Sequence, residues 1–241
     1  MNFENKTALI TGAAVGIGRA AAINFARHGA KLVLLDLDLE KLETVKAELS
    51  EYTSDVRIFK CDVSDEAAVN KIADEVGQVD ILVNNAALWR CWSEFTETST
   101  DEWKKFLDVN IMGVVYVTRA LLPGMIERKY GRIINIASVA GVYGNANMVH
   151  YSATKGALIS MTKALAKEVS DKGVTVNSVS PGSVSPATNP DITYTEESTL
   201  AFMGRTGSGL ENANLICFLA SDEASYISGQ NIQIDGCRKK Q

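Results

Sequence analysis

The chain alternates between short apolar runs and longer stretches in which apolar residues recur every three or four positions. The short runs consist largely of valine, isoleucine and leucine, which is typical of strands buried in a parallel sheet. They cover residues 7–10, 31–35, 56–60, 81–83, 133–137, 174–179 and 232–234. The stretches between them have helical periodicity, as Leu39, Leu42, Val45 and Leu49 show.

This alternation predicts an α/β fold. Helices that join parallel strands cross over right-handed and pack on the faces of the sheet. We therefore expect a doubly wound, mostly parallel sheet of seven strands with helices on both faces. No linker, repeat or low-complexity segment interrupts residues 1–241, so we expect a single domain.

A glycine-rich turn follows the first predicted strand. Residues 11–18 read T-G-A-A-V-G-I-G and lead directly into a helical pattern. Backbone amides at a helix start, together with the helix dipole, form a site for an anion such as a diphosphate. The second predicted strand ends at Asp36, about 20 residues beyond the glycines, where a dinucleotide-binding fold places its acidic ribose ligand. The turn therefore predicts a Rossmann-type nucleotide site.

A second chemical pattern lies in the second half of the chain. Tyr151 and Lys155 are one helical turn apart, so their side chains lie on the same face. A phenol has an ordinary pKa of about 10, and a neighbouring ammonium lowers it by favouring the phenolate. Ser138 follows an apolar run, where its hydroxyl can hold a carbonyl or alcohol oxygen while Tyr151 moves the proton. This arrangement is typical of a secondary-alcohol dehydrogenase.

Several other segments give structural expectations. A long helix is predicted over residues 101–122, ended by Pro123 and Gly124, with Asn110 marking a kink or a polar role because asparagine is a poor helix former. Ser64 is the expected N-cap of the third helix. Residues 183–209 are polar and irregular, as in a lid or binding segment, with a short helix predicted near 196–203. The loop with Trp89 and Trp92 either lines a substrate pocket or packs on the following helix or on a neighbouring subunit.

The composition limits the possible partners. The net charge is −5 and no basic cluster occurs before the tail, so nucleic acid is not an expected partner. We interpret the tail residues Arg238, Lys239 and Lys240 as a solvated end. The cysteines are far apart without metal-ligand spacing, so neither a metal site nor a disulfide framework is expected. With no signal peptide and no apolar run near the ~20 residues of a membrane span, we expect a cytoplasmic protein outside the membrane.

Along nearly its whole length, the sequence resembles the short-chain dehydrogenase/reductase family. The resemblance is carried by the T-G-x-x-x-G-I-G turn, the N-N-A sequence that begins at Asn84, and a P-G pair that begins at Pro181. It also rests on Asp62, Asn110, Ser138, Tyr151, Lys155 and the closing stretch 229–236. The family's N-N-A-G ends here in Ala87, and the threonine that often follows P-G-x-V is displaced to Thr188, after Ser185 and Pro186.

The resemblance implies a role for each matching residue. Tyr151 is the acid/base, Ser138 steadies the substrate oxygen, and Lys155 lowers the pKa of Tyr151 and binds the nicotinamide ribose. Asn110 holds a water in a proton relay through Lys155. The implied cofactor-binding residues are Gly12, Ile17, Gly18, Asp36, Asp62, Val63, Asn84, Ala86, Tyr151, Lys155, Pro181, Gly182 and Val184. The implied substrate-binding residues are Ser138, Trp89, Tyr143 and Tyr151.

Together these observations predict an NAD(H)-dependent oxidoreductase of a small-molecule secondary alcohol or ketone. NAD is expected because the Asp36 carboxylate opposes the extra phosphate of NADP. The alternatives are a 3-oxoacyl-(acyl-carrier-protein) reductase, a hydroxysteroid dehydrogenase, or a nucleotide-binding regulator that has lost activity. The resemblance also implies a homotetramer, for which Val114, Val117, Leu158 and Met161 are candidate contact residues, with core packing as the alternative.

Overall fold

A computed structural model describes residues 1–90, 92–185 and 195–239. The strands are β1 (Thr7–Thr11), β2 (Lys31–Asp36), β3 (Val56–Lys60), β4 (Ile81–Asn84), β5 (Gly131–Ile136), β6 (Val174–Pro181) and β7 (Asn231–Ile234). They form one seven-stranded sheet in the order β3-β2-β1-β4-β5-β6-β7, and every neighbouring pair is parallel. The predicted Rossmann-type fold is therefore confirmed.

Helices cover both faces of this sheet. They are α1 (Gly16–Arg27), α2 (Leu39–Leu49), α3 (Glu66–Val76), α4 (Thr100–Leu107), α5 (Gly113–Glu127), α6 (Ala140–Tyr143), α7 (Val149–Val169) and α8 (Gly209–Ala220). A π-helix, Asp108–Met112, joins α4 to α5.

Two hydrophobic cores flank the sheet because successive strand residues point to opposite faces. In β1, Ala8 and Ile10 belong to the core beneath α1, α2 and α8, whereas Leu9 belongs to the core beneath α3, α5 and α7. In β4, Val83 faces the first core and Leu82 the second. Both faces being buried explains why the strands read as continuous apolar runs rather than as an alternating pattern.

The prediction that a helix ends at Pro123 is wrong, since α5 continues through Pro123 and Gly124 to Glu127. Proline lacks an N–H and crowds the carbonyl one turn earlier, but its own fixed φ is compatible with helical residues after it. Asn110, the other expected irregularity, lies in the π-helix, where an extra residue is accommodated in the turn.

Two smaller expectations are corrected by local hydrogen bonds. The N-cap of α3 is Asp65 rather than Ser64, because the Asp65 carboxylate accepts from the Ala68 N–H. Residues 196–203 form turns and isolated bridges instead of a short helix, and the chain reverses at Gly204, whose φ is +71°. Residues 186–194 of the expected lid, which include Pro186 and Thr188, lie outside the described residues, as does Cys91.

The helical run Thr100–Glu127 has 28 residues and a mean hydropathy of 1.5 in its most apolar window, so by length and composition it could cross a membrane. Length and composition alone do not make it a membrane span, so this finding does not overturn the expectation of a protein outside the membrane. An interior helix of a globular protein meets the same criteria, and Val117, Leu121 and Met125 of this run belong to the core beneath the sheet. Packing on the sheet thus accounts for these three apolar residues.

Candidate active site

A cleft of about 890 Å³ opens at the carboxyl ends of the strands. It includes the ends of β1 and β4, between which the strand order reverses direction, and open α/β sheets bind ligands at such a point. Thirteen of the predicted site residues line it: Gly12, Ile17, Asp36, Asp62, Val63, Ala86, Trp89, Ser138, Tyr151, Lys155, Pro181, Gly182 and Val184. Gly18, Asn84, Asn110 and Tyr143 do not line it.

The glycine turn packs so closely that side chains are excluded. Gly12 has a φ of +64°, and a Cβ there would lie 2.8 Å from the Ala86 Cα. A Cβ on Gly18 would lie 2.2 Å from the Gly12 carbonyl oxygen, so Gly18 acts beneath the turn rather than at the cleft surface. The N-cap residue of α1, Val15, makes no side-chain cap hydrogen bond. The first-turn amides of α1 therefore fit an anionic group such as a diphosphate.

Thr11 and Asn85 tie the glycine turn to the end of β4. The Thr11 hydroxyl accepts from the Asn85 and Ala86 N–H groups, each at 3.0 Å. In return, the Asn85 side-chain amide donates to the carbonyls of Thr11 at 3.0 Å and Gly12 at 2.9 Å. Asn85 lines the cleft, whereas the resemblance implied its neighbour Asn84 as the cofactor-binding residue.

Asn84, which was expected to contact the cofactor, is buried on the other face of β4. Its amide donates to the side chains of Thr118 on α5 and Asn135 on β5, at 3.1 and 2.9 Å. Strand alternation is the reason, because Asn84 follows Val83 and points toward the opposite helix layer. Its side chain belongs to the interior network beneath the cleft.

Asp36 is held rigidly at one end of the cleft. One carboxylate oxygen accepts from the Ala14 N–H at 3.0 Å and the other from the Asp38 N–H at 3.1 Å. The nearby cation Arg19 is paired bidentately with Glu48, with nitrogen–oxygen distances of 2.6 to 2.9 Å. The negative charge of Asp36 is thus fixed at the wall, and Arg19 is engaged elsewhere.

At the middle of the cleft, Ser138, Tyr151 and Lys155 come together. Ser138 follows β5, and its oxygen accepts from the Ala140 N–H at 3.1 Å, so its own O–H remains a donor. Tyr151 lies in the first turn of α7. A Cβ on Gly141 would lie 2.5 Å from the Lys155 carbonyl carbon, so the segment after Ser138 packs directly on the α7 backbone.

The Lys155 ammonium is buried, with 3% of the residue exposed. Its Nζ donates to the Ile136 carbonyl at 2.7 Å and lies 5.8 Å from the centroid of the Tyr151 ring. Burial lowers the pKa of Lys155 from 10.5 to about 8, because leaving water disfavours the charged form. The side chain therefore remains mostly protonated at neutral pH, beside the tyrosine.

An apolar contact supports the tyrosine. Phe106 of α4 and Met148 form a small cluster against which Tyr151 packs. Behind it, the fully buried His150 lies 4.2 Å from the Phe106 ring, and its Nε2 is 3.3 Å from a carboxylate oxygen of Glu102. The first turn of α7 is thereby fixed against α4.

Asn110 joins the π-helix to the loop after β4. Its side-chain oxygen accepts from the Leu88 N–H at 2.8 Å, and its amide donates to the Leu88 carbonyl at 2.9 Å and to the Thr154 hydroxyl at 3.1 Å. These bonds occupy the Asn110 side chain. They hold Leu88, which lines the cleft, close to the helix that carries Tyr151.

Of the expected substrate-binding aromatic residues, Trp89 lies at the cleft and Tyr143 lies outside it. Trp89 and Trp92 both line the cleft as an edge-to-face pair, with ring centroids 6.5 Å apart, which favours the pocket interpretation of this loop. Tyr143 lies outside the cleft, because its hydroxyl is hydrogen-bonded to Gln233 near β7. Arg238 lines the cleft, so its interpretation as part of a solvated tail is wrong.

The fold and the cleft define an α/β protein of the Rossmann type with a tyrosine–lysine pair in its cleft. The family model for short chain dehydrogenases matches residues 6–197. The chain therefore belongs to the short-chain dehydrogenase family and is an oxidoreductase.

Known proteins of several activities are similar to this chain over almost its full length. It is 38% identical over 243 residues to a 3-oxoacyl-(acyl-carrier-protein) reductase of Thermotoga maritima, with 98% of each chain covered. It is 39% identical over 245 residues to meso-2,3-butanediol dehydrogenase of Serratia marcescens, covering 98% of this chain and 95% of the relative. A crystal structure of NAD+-bound xylitol dehydrogenase has a TM-score of 0.90 at 32% identity, covering 98% of this chain and 100% of the other.

Proposed function

We propose that the protein is a cytoplasmic, NAD(H)-dependent oxidoreductase that interconverts a secondary alcohol and a ketone. The observation that carries this proposal is the buried Lys155 ammonium beside the Tyr151 ring, in a cleft whose far end holds Asp36. A nucleotide-binding regulator has no use for an ammonium whose burial disfavours its charge. The similarity to dehydrogenases of a diol and of a polyol also supports the alcohol/ketone chemistry.

The cofactor would lie along the floor of the cleft. The first turn of α1 would hold its diphosphate, Asp36 the hydroxyls of its adenine ribose, and Asp62 and Val63 its adenine. Lys155 would hold the nicotinamide ribose. The backbone around Ala86 would support the ribose, and the segment Pro181, Gly182 and Val184 would support the nicotinamide. A bound nicotinamide would supply the hydride acceptor for the carbinol carbon in oxidation and the hydride donor in reduction.

The side chains of the cleft move the proton. In alcohol oxidation, Tyr151 as phenolate takes the hydroxyl proton of the substrate, and that proton is later released to solvent. Ser138 donates a hydrogen bond to the substrate oxygen and so orients it toward Tyr151. In ketone reduction, neutral Tyr151 gives its proton to the same oxygen. The ammonium of Lys155 stabilises the phenolate form throughout.

We propose that Asn110 has a positioning role in addition to the water-holding role that the resemblance implied. Its amide is already bonded to Leu88 and Thr154. Asn110 would therefore fix the loop after β4 along the cleft, close to α7.

The preference for NAD rests on the charges at the adenine end. NADP carries a phosphate of about −1.5 to −2 charge at the 2′ position. Two unit charges ~4 Å apart interact by roughly 4 kcal/mol at an effective dielectric of ~20, and one third of that corresponds to about tenfold in affinity. Near Asp36, Arg19 is paired with Glu48 and Lys41 with Asp38, so these cations are already partnered. The NAD+-bound xylitol dehydrogenase is consistent with this choice.

We expect Asp36→Ala to shift the cofactor preference toward NADP(H) by about tenfold or more, because the variant removes the fixed charge beside the 2′ position. The measurement is the ratio of kcat/KM for NAD to that for NADP with one substrate. Glu40→Gln is the control, since it removes a charge from a nearby exposed side chain that does not line the cleft. A wild type that prefers NADP, or an unchanged ratio in Asp36→Ala, would show that Asp36 does not set the preference.

A second candidate function is reduction of 3-oxoacyl thioesters on a carrier protein. It is favoured by the 38% identity to the Thermotoga maritima reductase. Assaying a 3-oxoacyl thioester with each reduced cofactor, beside simple ketones, separates the two candidates. Turnover of the thioester much faster than of any small ketone would favour the reductase.

We also propose a homotetramer of two-fold symmetry. Val114, Val117 and Leu158 are 5%, 2% and 1% exposed within one chain, so core packing explains them, and they are not available as contact residues. The half-buried Met161 on α7 keeps its candidate role. We expect light scattering at micromolar concentration to give about four times the chain mass of 26.0 kDa, and a mass near 26.0 kDa would contradict the proposal.

A further inference from the structure

The C-terminal residues 236–239 are hydrogen-bonded to residues 200–203, which belong to the expected lid or binding segment 183–209. Phe202 N–H donates to the Cys237 carbonyl at 3.0 Å, Met203 N–H to the Gly236 carbonyl at 3.1 Å, and Lys239 N–H to the Leu200 carbonyl at 2.9 Å. These backbone bonds flank Arg238 on both sides. They fix its side chain at the wall of the cleft, where it is half-buried.

Arg238 lies beside the segment that leads into the catalytic helix. One guanidinium nitrogen is 3.3 Å from the Asn145 side-chain oxygen. The Asn145 N–H in turn donates at 3.2 Å to the hydroxyl of Ser152, the residue after Tyr151. Arg238 therefore belongs to the catalytic part of the cleft and not to the adenine end, where Asp36 lies.

Within the described part of the chain, Arg238 forms no ion pair. A guanidinium has five N–H donors in a planar fork, and the bond to Asn145 uses one of them. Besides Asp36, Asp62 and Lys155, two more charged residues line the cleft: Lys105 and Asp108, which are exposed and opposite in sign. Arg238 is thus a partly desolvated positive charge with donors left for a ligand.

We propose that Arg238 binds a carboxylate of the substrate, so that the substrate is a hydroxy acid and its product the matching oxo acid. This inference rests on the proposed alcohol/ketone chemistry and names its substrate class. A planar carboxylate matches the guanidinium fork, and such charge-assisted bonds are among the strong ones in proteins. Trp89 and Trp92 supply an apolar wall for the hydrocarbon part, while the alcohol oxygen lies between Ser138 and Tyr151.

The test compares a carboxylate with its uncharged ester. Wild type, Arg238→Gln and Lys239→Gln are assayed with 2- and 3-hydroxybutyrate, with their methyl esters and with 2-butanol. Lys239→Gln is the matched control, because it removes the same charge from the next residue, which does not line the cleft. Butyrate is added as an inhibitor of 2-butanol oxidation, since this readout needs no turnover of the acid.

We expect wild type to prefer one hydroxy acid over its ester, and Arg238→Gln to lower kcat/KM for that acid about 10–100-fold. Turnover of the ester and of 2-butanol should stay within about threefold in both variants, and butyrate should compete in wild type and Lys239→Gln but not in Arg238→Gln. Equal use of acid and ester, with 2-butanol oxidised, would overturn the carboxylate role and leave the proposed function standing. Absence of turnover with all of these substrates would contradict both.

Discussion

Tyr151→Phe is expected to lower kcat/KM by about 10²–10⁴-fold, since it removes the phenolic oxygen that exchanges a proton with the substrate. The ring is retained, and so is its packing on Phe106 and Met148. Cofactor affinity should therefore change little. Steady-state kinetics with the best alcohol, together with titration of the cofactor by fluorescence, measure both quantities.

Tyr143→Phe provides the matched control for this loss. It removes a hydroxyl from a tyrosine that lies outside the cleft and is bonded to Gln233. We expect its kcat/KM to stay within a few-fold of the wild type. Near-normal turnover in Tyr151→Phe, or equal losses in the two variants, would show that Tyr151 is not the acid/base.

Lys155→Met should lower kcat/KM by a factor similar to that of Tyr151→Phe and should also weaken cofactor binding. The variant protein should nevertheless be at least as stable as the wild type. Lowering the Lys155 pKa from 10.5 to about 8 by burial corresponds to about 3 kcal/mol against the charged folded state. Methionine has a similar shape without the charge. Removing the penalty should therefore stabilise the variant by more than it loses with the hydrogen bond to the Ile136 carbonyl, since such a bond contributes ~1 kcal/mol.

The pH dependence of this effect has a definite sign. Below pH 8 the folded protein holds the ammonium, so the full penalty is present in the wild type. Between pH 8 and 10.5 the folded state loses its proton before the unfolded state does, so the stability of the wild type rises relative to that of the variant. Thermal unfolding of cofactor-free protein should give Lys155→Met a Tm at or above the wild type at pH 7, with the difference shrinking toward pH 10.

Lys163→Met, on an exposed position of the same helix, should change neither activity nor this pH dependence. A Tm several degrees below the wild type in Lys155→Met at pH 7 would show that the ammonium stabilises the fold. In that case burial would not be the main influence on its pKa.

Much of the fold follows from residue pattern alone. Strands buried on both faces are continuous apolar runs. The glycine turn after β1 and Asp36 have a spacing that few other structures produce. The positions of Tyr151 and Lys155 are similarly predictable, since helical periodicity places them on one face wherever the helix begins.

Other features depend on which way a single residue points. Asn84 and Asn85 are adjacent and chemically identical, yet strand alternation buries the first and leaves the second at the cleft. In the sequence, Arg238 is simply part of a charged tail. The backbone bonds that hold it at the cleft come from residues 200–203, which are distant in sequence. Pro123 indicates a helix end because proline removes one helical hydrogen bond. The packing that continues α5 beyond Pro123 is not visible in that local signal.

The most direct test of the proposed chemistry is the appearance of reduced nicotinamide when purified protein is mixed with NAD and a panel of secondary alcohols and hydroxy acids. We expect an absorbance increase that requires both an alcohol and the tyrosine hydroxyl, and that is larger with NAD than with NADP. Binding of NAD without reduction by any alcohol, and without oxidation of the reduced cofactor by any ketone, would identify a nucleotide-binding regulator and contradict the proposal.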